Sequence, residues 1–425
     1  MKVILENSLT ERDELVVWHP YSQGNWGKFP IGISHGEGSY LFDDEGNRYI
    51  DAISSWWVNL HGHCHPFIIK SVLEQMTKLE QVIFAGFTHD PAITLAEKLL
   101  SVLPRNQSKV FYSDDGSTSV EVAIKMAIQY WSNLDMPKKK ILAFKNAYHG
   151  DTFGSMSLSS RGPFNAAFSS FLFEVDFINI PQNSQEVQIL IDNLQDDYAA
   201  FIFEPLIQGT AGMRMYKADL LNQLLVGCKN KNILTIADEV MTGFGRTGKL
   251  FAMDYVIEKP DIICLSKGLT GGMMPLGVTT CTQAIYQAFQ TDDVLKSFFH
   301  GHSYTANPLA CTAAIASLNI LLRRGTQESI SRIENQHRDF VKRIHHHPKV
   351  LNAASLGTIF MLEWKVKGGS TYFNDIRDKL YAFFLSEGIL IRPLGNILYL
   401  MPPYCISQED LQFIYEKIQE ALENV

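Results

Sequence analysis

Three short apolar runs in this chain each end on an ionisable residue. Ala199–Phe203 leads into Glu204, Ile233–Ala237 into Asp238, and Asp261–Leu265 into Ser266 and Lys267. Two further runs, Lys109–Tyr112 and Ile141–Phe144, read as strands of the same kind. Between them lie segments of helical period, Val120–Trp131, Leu220–Lys229 and Leu309–Leu322. Continuous apolar strands alternating with helices predict a largely parallel sheet buried on both faces. Ligands of such sheets bind outside the carboxyl ends of the strands. Glu204, Asp238 and Lys267 are therefore predicted to meet at one edge.

The flanks differ. To about residue 60 the chain is rich in Gly, Trp and Tyr, and GSYLFDDEGNRYIDA predicts a hairpin turning at Asp43–Gly46. After about residue 325 a long helix, Glu328–Arg343, leads into shorter mixed elements. The division expected is 1–65 as the N-terminal part of a smaller α+β domain, 66–324 as a large domain, and 325–425 as the rest of the smaller one. At 425 residues the chain exceeds one ordinary domain.

Composition narrows the function classes. Lys and Arg number 37 against 45 Asp and Glu, a net charge of −8. Counterion release onto nucleic acid is a poor fit, and so is an anionic membrane surface. No apolar run approaches the roughly 18 residues that span a bilayer. MKVILENSLTERDE turns acidic at once and does not read as a secretory signal. The six cysteines are scattered, several in apolar segments, so no disulfide scaffold is expected. A reduced, cytoplasmic enzyme is the expectation.

A lysine at the dry end of a strand is a candidate Schiff-base nucleophile, because desolvation frees its amine. A carboxylate on a neighbouring strand can hold a protonated pyridine nitrogen. Asp238 and Lys267 together therefore suit pyridoxal phosphate, although a plain ion pair at the sheet edge uses the same residues. Asp115-Gly116-Ser117-Thr118-Ser119 stands between a strand and a helix. Gly116 permits close backbone approach, and the helix N-terminus attracts a phosphate; a simple N-cap is the alternative. The segment is neither GxGxxG nor a P-loop, which argues against NAD and ATP.

DEVMTGFGRTGKLFA (Asp238–Ala252), followed by LSKG with Lys267 29 residues after Asp238, resembles the class III pyridoxal-phosphate-dependent aminotransferases of fold type I. The likeness extends over nearly the whole chain. It implies a large domain with a mainly parallel seven-stranded sheet flanked by helices, plus a smaller α+β domain. WHPY (Trp18–Tyr21), SWWVNLHGHCHP (Ser55–Pro66), EPLIQGTAGMRMY (Glu204–Tyr216) and IRPLGNILYLMPPY (Ile391–Tyr404) carry a narrower match. It is to the branch of the class that passes an amino group from S-adenosylmethionine to 8-amino-7-oxononanoate in biotin synthesis, in a ping-pong cycle through pyridoxamine phosphate. Some members of that branch use lysine as donor.

The resemblance implies roles residue by residue. Lys267 links to the cofactor and then shuttles the proton; Asp238 keeps the pyridine nitrogen protonated; Tyr21 joins them at the catalytic centre. Tyr148 of NAYHGDT stacks on the ring, Gly116 and Ser117 bind the phosphate, and Glu204 lies near the ring hydroxyl. GHSYTANPLAC (Gly301–Cys311) matches a segment that reaches the phosphate from the other subunit of a homodimer. His302 and Ser303 stand where many relatives have Pro-Thr, and Ser303 keeps a hydroxyl. For the substrates, Arg392 is the carboxylate clamp. Trp56, Trp57, Tyr21 and Tyr148 supply apolar walls, with Gly301 and Tyr399 in the same region. Arg246 of GFGRTG reads equally as structural or as a contact to the amino donor. Trp56 and Trp57 are expected on a strand facing opposite ways, with Trp56 the stronger candidate.

His61-Gly62-His63-Cys64-His65 has the look of a metal site, but alternating strand residues diverge and no carboxylate neighbours them, so a structural role is expected. His345-His346-His347 reads as a solvated helix end. Rival functions are another class III aminotransferase acting on ornithine, 4-aminobutyrate or a diamine, separable by acceptor specificity. A decarboxylase or racemase of the same geometry would be separable by CO2 release or inversion. A non-catalytic homologue would show no cofactor absorption.

Overall fold

In a computed structural model, residues 8–21, 30–366, 369 and 374–425 are described. At the centre is a seven-stranded sheet. Its strands run, in spatial order, Gln107–Ser113, Gly277–Thr282, Ile262–Leu265, Leu234–Asp238, Tyr198–Phe203, Lys140–Phe144 and Asp176–Ile178. The pairs from Ile262–Leu265 to Asp176–Ile178 are parallel. Gly277–Thr282 is antiparallel to both of its neighbours. The alternation of apolar runs and helices foretells the parallel part. The antiparallel strand escapes it, because GVTTCT carries no periodic mark and only a single 3-10 turn, Lys267–Thr270, precedes it.

Both faces of the sheet are covered. Phe201 and Phe203 point into one apolar cluster, and Ala200 and Ile202 into another on the opposite side. Helix Gly116–Asn133 packs on the second face through Val120, Ala123, Ala127 and Trp131. It begins where it does because Asp115 accepts from the Thr118 N–H while the Thr118 hydroxyl caps the Asp115 N–H. Helix Pro308–Leu321 is apolar nearly all round and is buried against Pro66–Met76 and Asp90–Val102.

The ends of the chain pair with each other. Ile33–Glu37, Tyr40–Asp43 and Arg48–Asp51 form an antiparallel meander, and Ile389–Leu390 adds a parallel fourth strand beside Arg48–Asp51. The Asp43–Gly46 turn forms as predicted: Asp43 accepts from the Glu45 and Asn47 N–H groups, and Gly46 sits at φ +90. Val350–Leu356, Ile359–Trp364 and Ile397–Leu400 make a separate antiparallel sheet. No helix among the described residues is long and apolar enough to cross a membrane. All six cysteines are free, four of them buried.

Trp56 and Trp57 are not on a strand. Ser54, Ser55 and Trp57 have φ of +52, +60 and +70, a tight turn that L-residues hold only under external constraint. Asp51, fully buried, supplies much of it by accepting from the Ser55 N–H at 2.7 Å and from the Ile53 N–H. His63 Nε2 also lies 2.9 Å from Asp51, so a carboxylate does neighbour the histidine cluster. Among the described residues, no group of three His, Cys, Asp or Glu side chains is placed to hold a metal ion.

Two buried histidines make stability acid-sensitive. His337 bonds to the Tyr415 hydroxyl and the Thr358 carbonyl, and His61 to the Ser317 hydroxyl. Burial pushes each imidazole from 6.5 down to about 3. The unfolded chain takes up these protons as pH falls through 6.5, and the folded chain does not. Stability present above pH 6.5 is therefore lost progressively toward pH 3, by about 1.4 kcal/mol per pH unit per group. Urea midpoints should fall between pH 7.5 and 4.5, and His337→Gln should flatten that slope. An unchanged slope would mean that His337 is not held neutral.

Candidate active site

A cavity of about 370 Å³ opens at the carboxyl ends of the parallel strands, within the range of small-ligand sites. Several separate segments line it, among them Trp57–Val58, Asp114–Ser117, Tyr148–Gly150, Glu204, Asp238 with Val240–Thr242, Ser266–Lys267 and Met274–Leu276. Most of them follow or precede a strand of the central sheet, and Trp57 and Val58 are brought in from the N-terminal region.

Lys267 is half-buried and sits at φ +44, just past the Ile262–Leu265 strand. Ser266 anchors the turn through a 2.8 Å bond to the Leu276 carbonyl. The Lys267 amine lies 4.7 Å above the Trp57 ring centroid. Burial lowers its pKa, against the opposing pull of the Asp238 and Glu204 charges.

Asp238, the last residue of its strand, is pinned at both oxygens. Oδ2 is 2.7 Å from His149 Nδ1, and Oδ1 accepts from the Val240 N–H at 3.1 Å. Glu204 accepts from the Gly209 N–H at 2.9 Å and the Tyr148 N–H at 3.2 Å. Burial raises its carboxyl to about 7.

Gly116 and Ser117 open the helix, with N–H groups directed out of its first turn. A Cβ on Gly116 would come within 2.7 Å of Val240 Cγ1. Gly150 has φ +135, and a Cβ there would lie 2.1 Å from Ser117 Oγ. The Ser117 hydroxyl accepts from the Asp151 N–H at 3.1 Å. The cradle is thus one that side chains at 116 or 150 would fill.

Above the cavity stands an aromatic rim. Tyr21 donates to Asp151 and bonds to Tyr148. Burial, reinforced by Asp151, pushes the Tyr21 phenol up to about 12, and burial pushes Tyr148 higher still. Tyr21 and Trp56 rings are 5.6 Å apart. The Arg392 guanidinium lies 4.3 Å from the Trp56 centroid and 6.0 Å from Tyr21. Trp56 is partly exposed, whereas Trp57 is buried and forms a wall of the cavity.

Some residues singled out in the sequence lie elsewhere. Tyr399 stands behind Trp57, accepting from its indole N–H at 3.0 Å, and is buried rather than facing the cavity. Arg246 is 1% exposed and donates to the Pro402 and Trp57 carbonyls at 2.9 and 3.2 Å. These main-chain contacts favour the structural of the two readings of Arg246. Gly301, His302 and Ser303 lie outside the cavity of their own chain: His302 Nε2 is 3.9 Å from Asp114, and the Ser303 carbonyl accepts from Gln81. Sequence reasoning passed over His149 and Asp51. The only local signal for His149 is its place between Tyr148 and Gly150.

The donor set suits pyridoxal phosphate. A buried amine, a pinned carboxylate, a flat aromatic side chain and a glycine-lined helix N-terminus line one cavity, and the buried Nε2 of His149 has no partner.

The Aminotransferase class-III family matches residues 21–422. The chain is 45% identical to the adenosylmethionine-8-amino-7-oxononanoate aminotransferase of Synechococcus elongatus over 421 residues, 96% of this chain and 99% of that protein. A crystal structure of the enzyme of that name from Methanocaldococcus jannaschii superposes with a TM-score of 0.93 at 35% identity, covering 98% of this chain and 99% of the other. The omega transaminase of Pseudomonas jessenii in complex with PMP superposes at 0.91, with 26% identity and 98% of each chain covered. The chain belongs to the class III aminotransferases, the pyridoxal-phosphate-dependent transferases of fold type I.

Proposed function

We propose that this chain transfers an amino group from S-adenosylmethionine to 8-amino-7-oxononanoate, giving 7,8-diaminononanoate for biotin synthesis, with the donor leaving as its 2-oxo acid. What carries the reading is the rim in which Arg392 packs on Trp56 and Tyr21, joined through Tyr21 to Tyr148 of the cavity that holds Lys267, in a chain so similar to relatives of that name. Arg392 suits the single carboxylate of the acceptor, and the aromatic faces suit its apolar chain and the donor's sulfonium.

When bound, pyridoxal phosphate supplies a carbonyl that takes up the amino group and a ring that accepts the electron pair freed at the substrate carbon. The chain's own residues do the rest. Lys267 Nζ, whose pKa burial lowers, removes the proton from the donor's α-carbon and returns one to the acceptor carbon. Asp238 holds the proton on the pyridine nitrogen, and Tyr148 covers one face of the ring. Gly116 and Ser117 take the phosphate, and Glu204 stands by the ring hydroxyl. Tyr21 and Trp57 exclude water from the amine.

We infer a homodimer in which Gly301, His302 and Ser303 of a second copy complete the phosphate site. Residues 1–65 and 325–425 form the smaller domain beside 66–324, and the enzyme is cytoplasmic.

The test is a half-reaction followed by absorbance. S-Adenosylmethionine should bleach the visible band of the holoenzyme, and 8-amino-7-oxononanoate should restore it. Bleaching by lysine alone would change the donor; failure of the oxononanoate to restore the band would end the assignment. Arg392→Ala should raise the acceptor KM about 10- to 100-fold with a smaller change in kcat, since a charged bidentate contact is worth roughly 1.5–3 kcal/mol. Arg392→Lys should fall between. Steady-state kinetics with the acceptor varied decide it, and an unchanged KM would place the carboxylate elsewhere.

A further inference from the structure

The proposed role of Asp238 depends on orientation. A carboxylate rotates readily, and Lys267, whose charge interacts with that of Asp238 across the cavity, is a competing cation. Left to itself, the carboxylate would turn toward the amine. Two donors oppose this. The Val240 N–H holds Oδ1, and the His149 ring holds Oδ2 at 2.7 Å.

His149 is built to hold that position. It is 3% exposed, and its own backbone N–H donates to Ser159 Oγ at 2.9 Å. The next residue, Gly150, takes a φ of +135, which side-chain-bearing residues rarely adopt. The ring therefore cannot be moved without moving the turn that carries Tyr148. Because Nδ1 faces an acceptor, it carries the proton, and Nε2 presents a lone pair. That Nε2 is buried with no partner. An unpaired buried nitrogen costs stability, so packing alone would favour an apolar residue here. The charged and titratable groups acting on this cluster are Asp238, Glu204 and Lys267.

We propose that His149 is a positioning residue: its Nδ1–H fixes the Asp238 carboxylate in the rotamer that addresses the pyridine nitrogen and keeps it off Lys267. The inference rests on the role given to Asp238 above, and not on the identity of the amino donor.

Two near-isosteric variants separate positioning from packing. In His149→Asn the amide nitrogen falls near the place of Nδ1 and can still donate to Asp238. In His149→Gln it reaches toward the place of Nε2 and cannot. Equilibrium dialysis of pyridoxal phosphate, and the pH midpoint of the holoenzyme's visible band without substrate, read the effect apart from turnover. The Asn variant should keep the dissociation constant, the midpoint and kcat within about twofold of the parent. The Gln variant should raise the dissociation constant and lower kcat, each about tenfold, and displace the midpoint, with KM little changed. Equal impairment in both variants, or none in either, overturns the inference.

A nitrogen-15 spectrum of the histidine-labelled parent protein needs no variant at position 149. A protonated Nδ1 with a bare Nε2 is expected at the resonance that Asp238→Asn perturbs, and the opposite tautomer overturns the inference. If Asp238→Asn itself leaves cofactor affinity and the band unchanged, the role of Asp238 fails first, a result distinct from failure at His149 alone.

Discussion

Lys267→Ala should abolish transamination, with kcat reduced by at least about 10⁴-fold, the upper end of what a positioned acid–base group supplies. Neither the rim phenols nor Glu204 can substitute for it. The phenols of Tyr21 and Tyr148 are held protonated, Tyr21 up to about 12 and Tyr148 beyond that, so neither is a base near neutral pH. Glu204 is raised to about 7, but both its oxygens already accept backbone N–H groups. Among these, Lys267 alone offers an amine whose pKa is lowered by burial. Single-turnover absorbance with saturating donor measures the loss directly. Small primary amines entering the vacated space should restore part of the rate. An alanine variant within tenfold of the parent would mean that another group moves the proton.

The second large effect is expected at Asp238. Asp238→Asn keeps the shape of the side chain but removes the charge, and its single oxygen can keep only one of the two bonds, from His149 or from Val240. Breaking one partner of a buried charge pair costs 3–5 kcal/mol as a rule of thumb, so kcat should fall roughly 10³-fold. The fall should appear in both half-reactions, because both need the pyridine nitrogen protonated. Stopped-flow rates of each half-reaction check this. A loss below tenfold, or one confined to a single half-reaction, would take the nitrogen contact away from Asp238.

These two residues were also the most legible. Asp238 directly ends an apolar run of strand length and Lys267 stands one residue beyond another, and in a parallel sheet those positions lie at the ligand edge. Glu204 is legible for the same reason, and Gly116-Ser117 because a strand-to-helix junction exposes N–H groups wherever it occurs. Tyr148 and Arg392 came from resemblance, since no local pattern marks either. The Trp56-Trp57 pair was misjudged as strand, because aromatic residues favour strands and nothing nearby in the chain reveals Asp51 holding Ser55 in a strained turn.

What the amino-acid sequence determined by itself is the set of local facts: which runs are strands, which residues close them, and hence which ionisable groups share an edge. Period and turn chemistry act over a few residues and survive in any context that buries the sheet. Tertiary structure alone decided how those groups are held and which neighbours never reach the site. Trp57 meets Tyr399 across 342 residues, Arg246 reaches the Pro402 carbonyl across 156, and His149 finds Asp238 across 89. Such partners are selected by close packing and by the requirement that buried polar atoms be paired, conditions that exist only once the chain is folded.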